Sequence, residues 1–264
     1  MESVEGARSF QASGDAYDAY MGRYSRQLAP AFADLVGVAP GHRVLDVGCG
    51  PGALTGVLVE RLGVDAVAAC DPSPPFLADC AARHPGLDVR SARAEDLPFE
   101  DDAFDGAAAQ LVLHFVSDPM QAATEMRRVV RPGGVVGACA WGVDDGMDLL
   151  RRFWEAAVRV DPDAPTDTQS LRFGRPGELT ELFAATGLVD IDEVLIEITS
   201  GYTSFDELWA TYLLGVGPAG SYCTAQPEEI QARIRAELFS ILGEPAGPLT
   251  LSGRALAARG SVPT

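Results

Sequence analysis

The sequence is short of basic residues. Only 20 lysines and arginines stand against 38 aspartates and glutamates, which gives a formal net charge of −18 at pH 7. Proteins that bind nucleic acids or anionic membrane surfaces need positive charge that matches their partner. The composition therefore predicts no nucleic-acid partner and no membrane partner.

Long hydrophobic runs are also missing. No apolar stretch approaches the ~18–20 residues that a membrane-spanning helix requires. Residues 1–6 contain neither the basic region nor the apolar region of a secretory signal. We therefore expect a cytoplasmic protein.

Cysteine pairs with metal-binding or redox spacing are absent. The chain has five cysteines, an odd number. No two of them form a C-x-x-C motif, and none has metal-ligand spacing to a histidine. This pattern predicts reduced thiols that fill the core and no metal site. The five are Cys49, Cys70, Cys80, Cys139 and Cys223.

The first half of the chain alternates between strand and helix patterns. Residues 44–47 form a short β-branched run, a glycine turn follows at 48–52, and apolar residues then recur at helical spacing. Short strands separated by helices predict βαβ units and a mostly parallel sheet that is covered on both faces. Further strands are predicted at 66–70, 87–90, 104–113 and 135–141, and further helices at 15–38, 75–83 and 119–130.

The second half is less regular. It contains two strand patterns, at 189–199 and 249–257, with helices at 205–214 and 227–242 between them and a glycine-rich turn at 215–222. Helices are also predicted at 149–160 and 176–186. We therefore predict a single α/β domain over 1–264, a doubly wound, Rossmann-like, mostly parallel seven-stranded sheet with helices on both faces. An N-terminal helical cap occupies 1–42, the cofactor-binding core 43–142, and the completion of the sheet 143–264, with a helical insertion at about 203–247 that serves as a substrate lid.

The glycine turn suggests a ligand with a ribose but without a pyrophosphate. In Gly48-Cys49-Gly50-Pro51-Gly52 the third glycine comes one residue earlier than in a dinucleotide fingerprint, and the proline removes an N–H group. Asp71 follows the second strand about 20 residues later, where an acidic residue accepts hydrogen bonds from a ribose diol. Asp46 precedes the turn and suits a ligand that carries positive charge.

Two further groups of residues leave alternatives open. His114 comes at the carboxyl end of the predicted fourth strand, where it either takes a proton from a substrate or packs without chemistry. The aromatic residues of the second half either form a wall for an apolar substrate or belong to the core. These aromatic residues are Trp141, Trp209, Tyr212 and Tyr222.

Four motifs together carry a resemblance to a known family. They are Val44-Leu45-Asp46-Val47-Gly48-Cys49-Gly50-Pro51-Gly52, Asp71, Leu97-Pro98-Phe99 followed by Phe104-Asp105, and Arg131-Pro132-Gly133-Gly134. In order and spacing they resemble the motifs of class I S-adenosylmethionine-dependent methyltransferases. The small-molecule branch with quinone C-methyltransferases and glycine N-methyltransferases is the most similar, over roughly residues 17–141.

The resemblance implies a set of cofactor contacts. Asp71 would hold the ribose hydroxyls, Pro72 would pack on adenine, and Gln110 would meet the methionyl amino group. Where the family has acid-Ala-Glu, this chain has Arg93-Ala94-Glu95, so we retain Ala94 and Glu95 and omit Arg93. The remaining implied contacts near the glycine turn are Asp46, Gly48, Cys49, Gly50 and Gly52.

The N-terminal segment Tyr20-Met21-Gly22-Arg23-Tyr24 resembles one that closes over the cofactor in glycine N-methyltransferase-like enzymes. Tyr20 would then contact the cofactor, and Arg23 would pair with its methionyl carboxylate, since arginine binds carboxylates through a defined fork of donors. Arg26 is the alternative for the same role.

The resemblance implies transfer of a methyl group from S-adenosylmethionine to a small acceptor, with S-adenosylhomocysteine as product. The apolar and aromatic content of the lid favours an uncharged or aromatic acceptor, and oxygen or carbon methylation over nitrogen. The alternatives are an NAD-dependent oxidoreductase of Rossmann type and an S-adenosylmethionine-binding protein without methyl transfer. A homodimer is a further expectation.

Overall fold

The structure is a computed structural model that describes residues 17–143, 146–166 and 172–264. Within these residues the chain folds around a seven-stranded sheet of order β3-β2-β1-β4-β5-β7-β6. The first 16 residues of the predicted cap, and residues 144–145 and 167–171 of the C-terminal region, lie outside the described residues.

The first five strands and their helices follow the predicted alternation. A π-helical turn at Asp18–Gly22 leads into the first α-helix. The strands are β1 (Val44–Val47), β2 (Val67–Asp71), β3 (Asp88–Ser91), β4 (Phe104–Gln110) and β5 (Val130–Trp141); the helices are α1 (Arg23–Val36), α2 (Ala53–Leu62), α3 (Pro74–Arg83) and α4 (Pro119–Val129).

The second half completes the sheet and adds the helical insertion between its last two strands. Strand β7 lies antiparallel between β5 and β6, whereas β1 to β5 pair in parallel. The elements are α5 (Asp148–Val160), α6 (Glu178–Ala185), β6 (Val189–Tyr202), α7 (Phe205–Tyr212), α8 (Gly217–Ala225), α9 (Glu228–Ile241) and β7 (Leu249–Ser261).

Strand β1 shows why helices cover both faces of the sheet. All four of its residues are buried, and successive side chains point to opposite faces. Val44 packs into a core with α1, α2 and α5, whereas Leu45 and Val47 pack into a second core with α4 and α6. A strand that is apolar on both sides needs a layer on each, so the predicted doubly wound fold is confirmed.

Three predicted boundaries are wrong. Strand β4 ends at Gln110 instead of 113, because Leu111 has a φ of +62° that breaks the extended backbone. Strand β5 begins at Val130 instead of 135, and residues 131–134 lie within a register shift between β4 and β5. The glycine-rich turn at 215–222 is largely helix α8, because Pro218 starts it and Ala219 and Cys223 bury one side.

Candidate functional site

The glycine turn lies at the carboxyl end of β1, where it is tied to the end of β2. The amides of Gly48 and Cys49 both donate to the carbonyl oxygen of Cys70, at 2.7 and 3.0 Å. Gly48 has a φ of +71° and Gly50 a φ of +52°, a region that costs non-glycine residues energy. The backbone of the turn is therefore exposed to a close approach by a ligand.

Asp71 ends β2 and supports the turn. Its Oδ2 accepts from the amide of Gly50 at 2.9 Å, and its Oδ1 accepts from the amide of Ser73 at 2.8 Å. The side chain is only 7% exposed, and burial raises its pKa, although these two amides lower it. Each oxygen retains a lone pair for a ligand hydroxyl.

Gln110 and Leu111 form the facing wall at the end of β4. Gln110 Nε2 donates to the carbonyl oxygen of Ser25 at 3.1 Å, which orients the amide. Gln110 Oε1 is buried and has no hydrogen-bond partner within the described part of the chain. A buried acceptor without a partner is costly, so this oxygen fits a ligand that donates a hydrogen bond.

These residues enclose a cavity of about 470 Å³. It lies where the strand order reverses between β1 and β4, which is the general ligand position in doubly wound sheets. The cavity unites seven of the predicted residues: Gly48, Gly50, Asp71, Pro72, Ala94, Glu95 and Gln110. The other lining residues are Tyr17, Ser73, Pro74, Pro75, Phe76, Ala92, Arg93, Leu111, Val112, Phe115 and Val116.

Asp46 lies behind the turn and does not line the cavity. Its Oδ2 accepts from Thr55 Oγ1 at 2.6 Å, and among the described residues its Oδ1 has no partner. Burial raises its pKa to about 7, against the opposing hydrogen bond from Thr55. A nearby positive ligand would favour the ionised form of this carboxyl group.

We expect Asp46 to make the protein lose stability as the pH rises from about 4 to about 7. The folded pKa of about 7 lies above the ordinary aspartate pKa of 3.8, so the folded state holds the proton more tightly. The contribution is full below the unfolded pKa and is lost through the folded pKa. Urea unfolding of Asp46→Asn should therefore show stability rising relative to the natural protein across this window. Asp34→Asn, which removes an exposed carboxylate, is the control; an equal change in both variants would contradict the assignment.

Cys49 and Gly52 also lie behind the cavity wall. The Cys49 thiol is 6% exposed and packs near Cys80. A hydrogen bond with Cys80 and then burial raise the pKa of Cys49, which keeps it a thiol and gives no support to a nucleophilic role. Gly52 precedes α2 with a φ of +95°.

Tyr20 and Arg23 lie on the lid side of the N-terminal helices, away from the cavity lining. Arg23 Nη2 pairs with Glu207 Oε1 at 2.8 Å, and the guanidinium lies 4.1 Å from the centre of the Tyr202 ring. Arg23 Nη1 is buried and has no partner in the described segments. Tyr20 is 1% exposed and packs against Tyr212. The alternative residue, Arg26, pairs with Asp18 at 3.0 Å.

His114 does not end a strand, contrary to the prediction. Because β4 stops at Gln110, His114 lies in the following turn, where its ring is 3.9 Å from that of Phe115 and is buried outside the cavity lining. Burial and then the charge of Arg172 lower its pKa to about 3. A neutral imidazole with so low a pKa is a poor proton acceptor, which favours the structural alternative.

The aromatic residues of the second half lie in the core and do not line the cavity. Trp141 contacts Tyr24, and Tyr212 stacks on Phe153 with ring centroids 4.6 Å apart. All but Tyr222 are buried, and Tyr222 donates to Asp161 at 3.0 Å. Their geometry agrees with the core alternative.

Sequence reasoning missed the aromatic residues that do border the cavity. Tyr17 and Phe76 meet edge to face with their centroids 5.3 Å apart, and Phe115 also lines the cavity. Tyr17 and Phe76 are apolar members of helical patterns, which predict burial and say nothing about a ligand. Their roles depend on the packing of the N-terminal segment against α3.

Metal-ligating side chains do not gather anywhere in the described residues. These residues contain no cluster of three or more histidine, cysteine or acidic side chains arranged to hold a metal ion. No helix among them has the length and apolarity needed to cross a bilayer.

Residues 45–138 match a family model described as a methyltransferase domain. An uncharacterized methyltransferase from Mycobacterium bovis is 36% identical over 57% of this chain and 62% of its own length. A demethylmenaquinone methyltransferase from Beutenbergia cavernae is 37% identical over 48% of this chain and 51% of its own. The first curated relatives are thus matched over 62–63% of their length.

A solved structure shares the fold. Phosphoethanolamine N-methyltransferase 2 from Haemonchus contortus, in complex with S-adenosyl-L-methionine, superimposes with a TM-score of 0.59. The two sequences are 16% identical, and the match covers 100% of this chain and 61% of the Haemonchus contortus chain. Fold and site together define a doubly wound α/β protein with a cavity at the point where the strand order reverses. Over residues 45–138 the chain is similar to a methyltransferase domain, and it shares its fold with this S-adenosyl-L-methionine-bound enzyme.

The cavity fits this cofactor in two respects. Gly48 lets the turn pack closely against Val112 of the cavity wall, since a Cβ at this position would come within 2.5 Å of Val112 Cγ2. The unpartnered Gln110 Oε1 matches a donor such as the methionyl ammonium. The early third glycine and Pro51, which has no N–H group to offer a pyrophosphate, do not favour the NAD alternative.

Proposed function

We propose that the whole protein transfers the methyl group of S-adenosylmethionine to a small, uncharged or aromatic acceptor. The observation that carries this proposal is the cavity at the strand-order reversal. There the glycine turn, Asp71 and Gln110 converge within a methyltransferase domain. The geometry supports binding of the cofactor. The apolar residues in the rest of the lining indicate which class of acceptor the cavity favours.

S-adenosylmethionine supplies a methyl group that its sulfonium makes electrophilic. The residues of this chain bind the cofactor and orient it. Gly48 and Gly50 admit the ligand to the backbone, Asp71 accepts from the ribose hydroxyls, and Gln110 Oε1 accepts from the amino group. Alignment of reactants in a pocket that excludes water accounts for much of the catalysis of such displacements.

The lining beyond β4 supports an uncharged acceptor. It is made of apolar residues at Leu111, Val112, Phe115 and Val116. The two carboxylates that line the described cavity, Asp71 at the end of β2 and Glu95 after β3, lie on the other side of β1 from this lining. An amine acceptor is a cation at neutral pH and is costly to bury without a free carboxylate. Oxygen or carbon methylation is therefore proposed over nitrogen.

Calorimetric titration with S-adenosylhomocysteine, with NAD in parallel, tests the cofactor assignment. We expect binding of S-adenosylhomocysteine at micromolar strength or better and none of NAD. Binding of NAD alone, or of neither, would refute the proposal.

A second experiment tests methyl transfer by incubating the protein with S-adenosylmethionine and apolar hydroxylated or aromatic acceptors. Accumulation of S-adenosylhomocysteine supports methyl transfer; binding without turnover across the screen favours a binding protein.

Arg23→Gln should weaken binding of S-adenosylhomocysteine about tenfold, if the buried Nη1 pairs with the methionyl carboxylate, because charge-assisted hydrogen bonds contribute about 1.5–3 kcal/mol. It should leave 5′-methylthioadenosine, which has no carboxylate, unaffected. Arg26→Gln, with the same charge change one turn away, is the matched control. Equal losses for both ligands in Arg23→Gln would mean that Arg23 acts only through its contacts with Glu207 and Tyr202.

His114→Gln should retain both cofactor affinity and turnover within about threefold. The low pKa and the position outside the cavity lining leave the imidazole no access to a reacting atom. Steady-state kinetics with the first acceptor identified, at pH 6 to 9, is the measurement. A loss of turnover above about a hundredfold, typical of a missing general base, with unchanged S-adenosylhomocysteine affinity, would instead support the proton-accepting alternative for His114.

A further inference from the structure

Arg93 introduces a positive charge into the cavity. It follows β3, and among the described residues that line the cavity it is the one cation. The rest of the lining is apolar, neutral or acidic. A guanidinium has five N–H donors and no acceptor, so any ligand edge that meets Arg93 must accept hydrogen bonds.

The sheet order decides which part of the ligand reaches Arg93. In the order β3-β2-β1-β4, Asp71 at the end of β2 separates the residues after β3 from the glycine turn and Gln110. If Asp71 holds the ribose hydroxyls, as the proposed function requires, the ligand extends in two directions from it. The amino-acid part extends toward Gln110, whose free oxygen accepts a donor, and the base extends toward residues 92–95.

Neighbouring groups hold Arg93 at this end. Its Nη2 donates to Ser117 Oγ at 2.8 Å and to Glu95 Oε1 at 3.2 Å. Glu95 Oε1 also accepts from the amide and hydroxyl of Ser117, at 2.9 and 2.6 Å. Burial alone would raise the pKa of Glu95, but hydrogen bonds from Ser117 and Arg93 lower it to about 2. The ion pair therefore persists at neutral pH, and both Arg93 bonds use Nη2, so other N–H groups are left for a ligand.

We propose that Arg93 makes the base subsite a hydrogen-bond donor that accepts hypoxanthine at least as well as adenine. Adenine presents the N7 acceptor beside the N6 amino donor. A guanidinium can therefore donate to N7, but its second donor faces the N6 donor. Hypoxanthine presents N7 and O6, two acceptors side by side. Guanine has the same edge, and arginine binds it through two parallel hydrogen bonds. Arg93 is thus a specificity-determining residue of the proposed site.

Recognition of the base by Glu95 instead of Arg93 would give the opposite preference. The second carboxylate oxygen of Glu95 could accept from the adenine amino group, in which case the site would discriminate against hypoxanthine. A site built around an acceptor rejects a ligand that lacks the donor, because a buried polar group is left unpaired. The two arrangements therefore predict opposite preferences between the same two ligands.

The test compares S-adenosylhomocysteine with S-inosylhomocysteine by calorimetry. We expect the natural protein to bind S-inosylhomocysteine as tightly as S-adenosylhomocysteine or more tightly. Arg93→Ala should lose about tenfold or more for S-inosylhomocysteine, the range of a charge-assisted hydrogen bond, and less than about threefold for S-adenosylhomocysteine. Arg175→Ala removes an arginine of similar exposure outside the cavity, 54% against 57%, and should change neither.

Two outcomes overturn the inference, for different reasons. A preference of the natural protein for S-adenosylhomocysteine of about tenfold or more, unchanged in Arg93→Ala, would assign the base to Glu95 and leave the proposed function intact. Failure of the folded natural protein to bind either ligand would instead remove the proposed function, and the inference with it. Circular dichroism of Arg93→Ala confirms that lost binding is not lost folding.

Discussion

Replacing Gly48 with alanine is expected to abolish binding of S-adenosylhomocysteine and to destabilise the protein. The φ of +71° costs an alanine about 1–2 kcal/mol. The new Cβ would lie 2.5 Å from Val112 Cγ2 and 2.8 Å from Val112 Cγ1, and overpacking of this kind costs a further ~1–3 kcal/mol. Valine is branched at Cβ and cannot bend away, so the turn or the wall of the cavity must move.

Variants at other glycines separate backbone strain from the clash. Gly41 has a φ of +92° outside the site, and a Cβ added there would meet no described atom within 4 Å. Gly41→Ala should therefore lose stability without losing affinity. Gly48→Ala combined with Val112→Ala should recover part of both. Urea unfolding and calorimetry measure the two quantities; full affinity in Gly48→Ala would show that the ligand does not approach the turn.

Asp71→Ala should weaken binding of S-adenosylhomocysteine about 10- to 150-fold. This range corresponds to about 1.5–3 kcal/mol for hydrogen bonds to a charged group. The variant also releases the amides of Gly50 and Ser73 that Asp71 holds at 2.9 and 2.8 Å. Part of the loss will therefore come from a less ordered turn.

A 2′,3′-dideoxy analogue of S-adenosylhomocysteine isolates the direct contact. If Asp71 accepts from the ribose hydroxyls, the analogue should bind the natural protein more weakly and should lose much less on Asp71→Ala. This double-mutant logic removes the effect on the turn, which is common to both ligands. An identical loss for the two ligands would contradict the ribose role while leaving the supporting role of Asp71 in the turn.

The central part of the site could be predicted because it depends on local sequence. The run Val44–Val47, the glycines after it and the acid at the end of the next strand are set by short-range periodicity and turn chemistry. Parallel strands place their carboxyl ends at one edge of the sheet. Gly48, Asp71 and Gln110 therefore share a cavity as expected.

Predictions that depended on where an element begins or ends were wrong at several positions. Apolar residues continue through Val112 and Leu113, so periodicity extends β4 to residue 113, whereas a single residue in the left-handed region ends it at Gln110. His114 then falls in a turn. Likewise, the glycines of 215–222 predict a turn, but buried contacts of Ala219 and Cys223 stabilise a helix there. Tertiary packing in that segment outweighs the small propensity cost of glycine in a helix.

Contacts between residues far apart in sequence could not be predicted at all. Arg23 pairs with Glu207 across 184 positions, and Tyr17 meets Phe76. Neither pair leaves a mark in local periodicity. A motif can identify Arg23 as a candidate carboxylate ligand, but only the packing of the lid shows that one of its nitrogens already has an acidic partner.

By itself the sequence determined the class of fold, the glycine turn, the acid after β2 and the shortage of positive charge, since each is a property of composition or of fewer than about a dozen neighbouring residues. The tertiary structure decided which side chains enclose the cavity, which acceptors stay unpaired and which acids and histidines are buried. Those properties depend on contacts between distant segments, and they set the pKa values of Asp46 and His114 and the position of Arg93 beside Ser117.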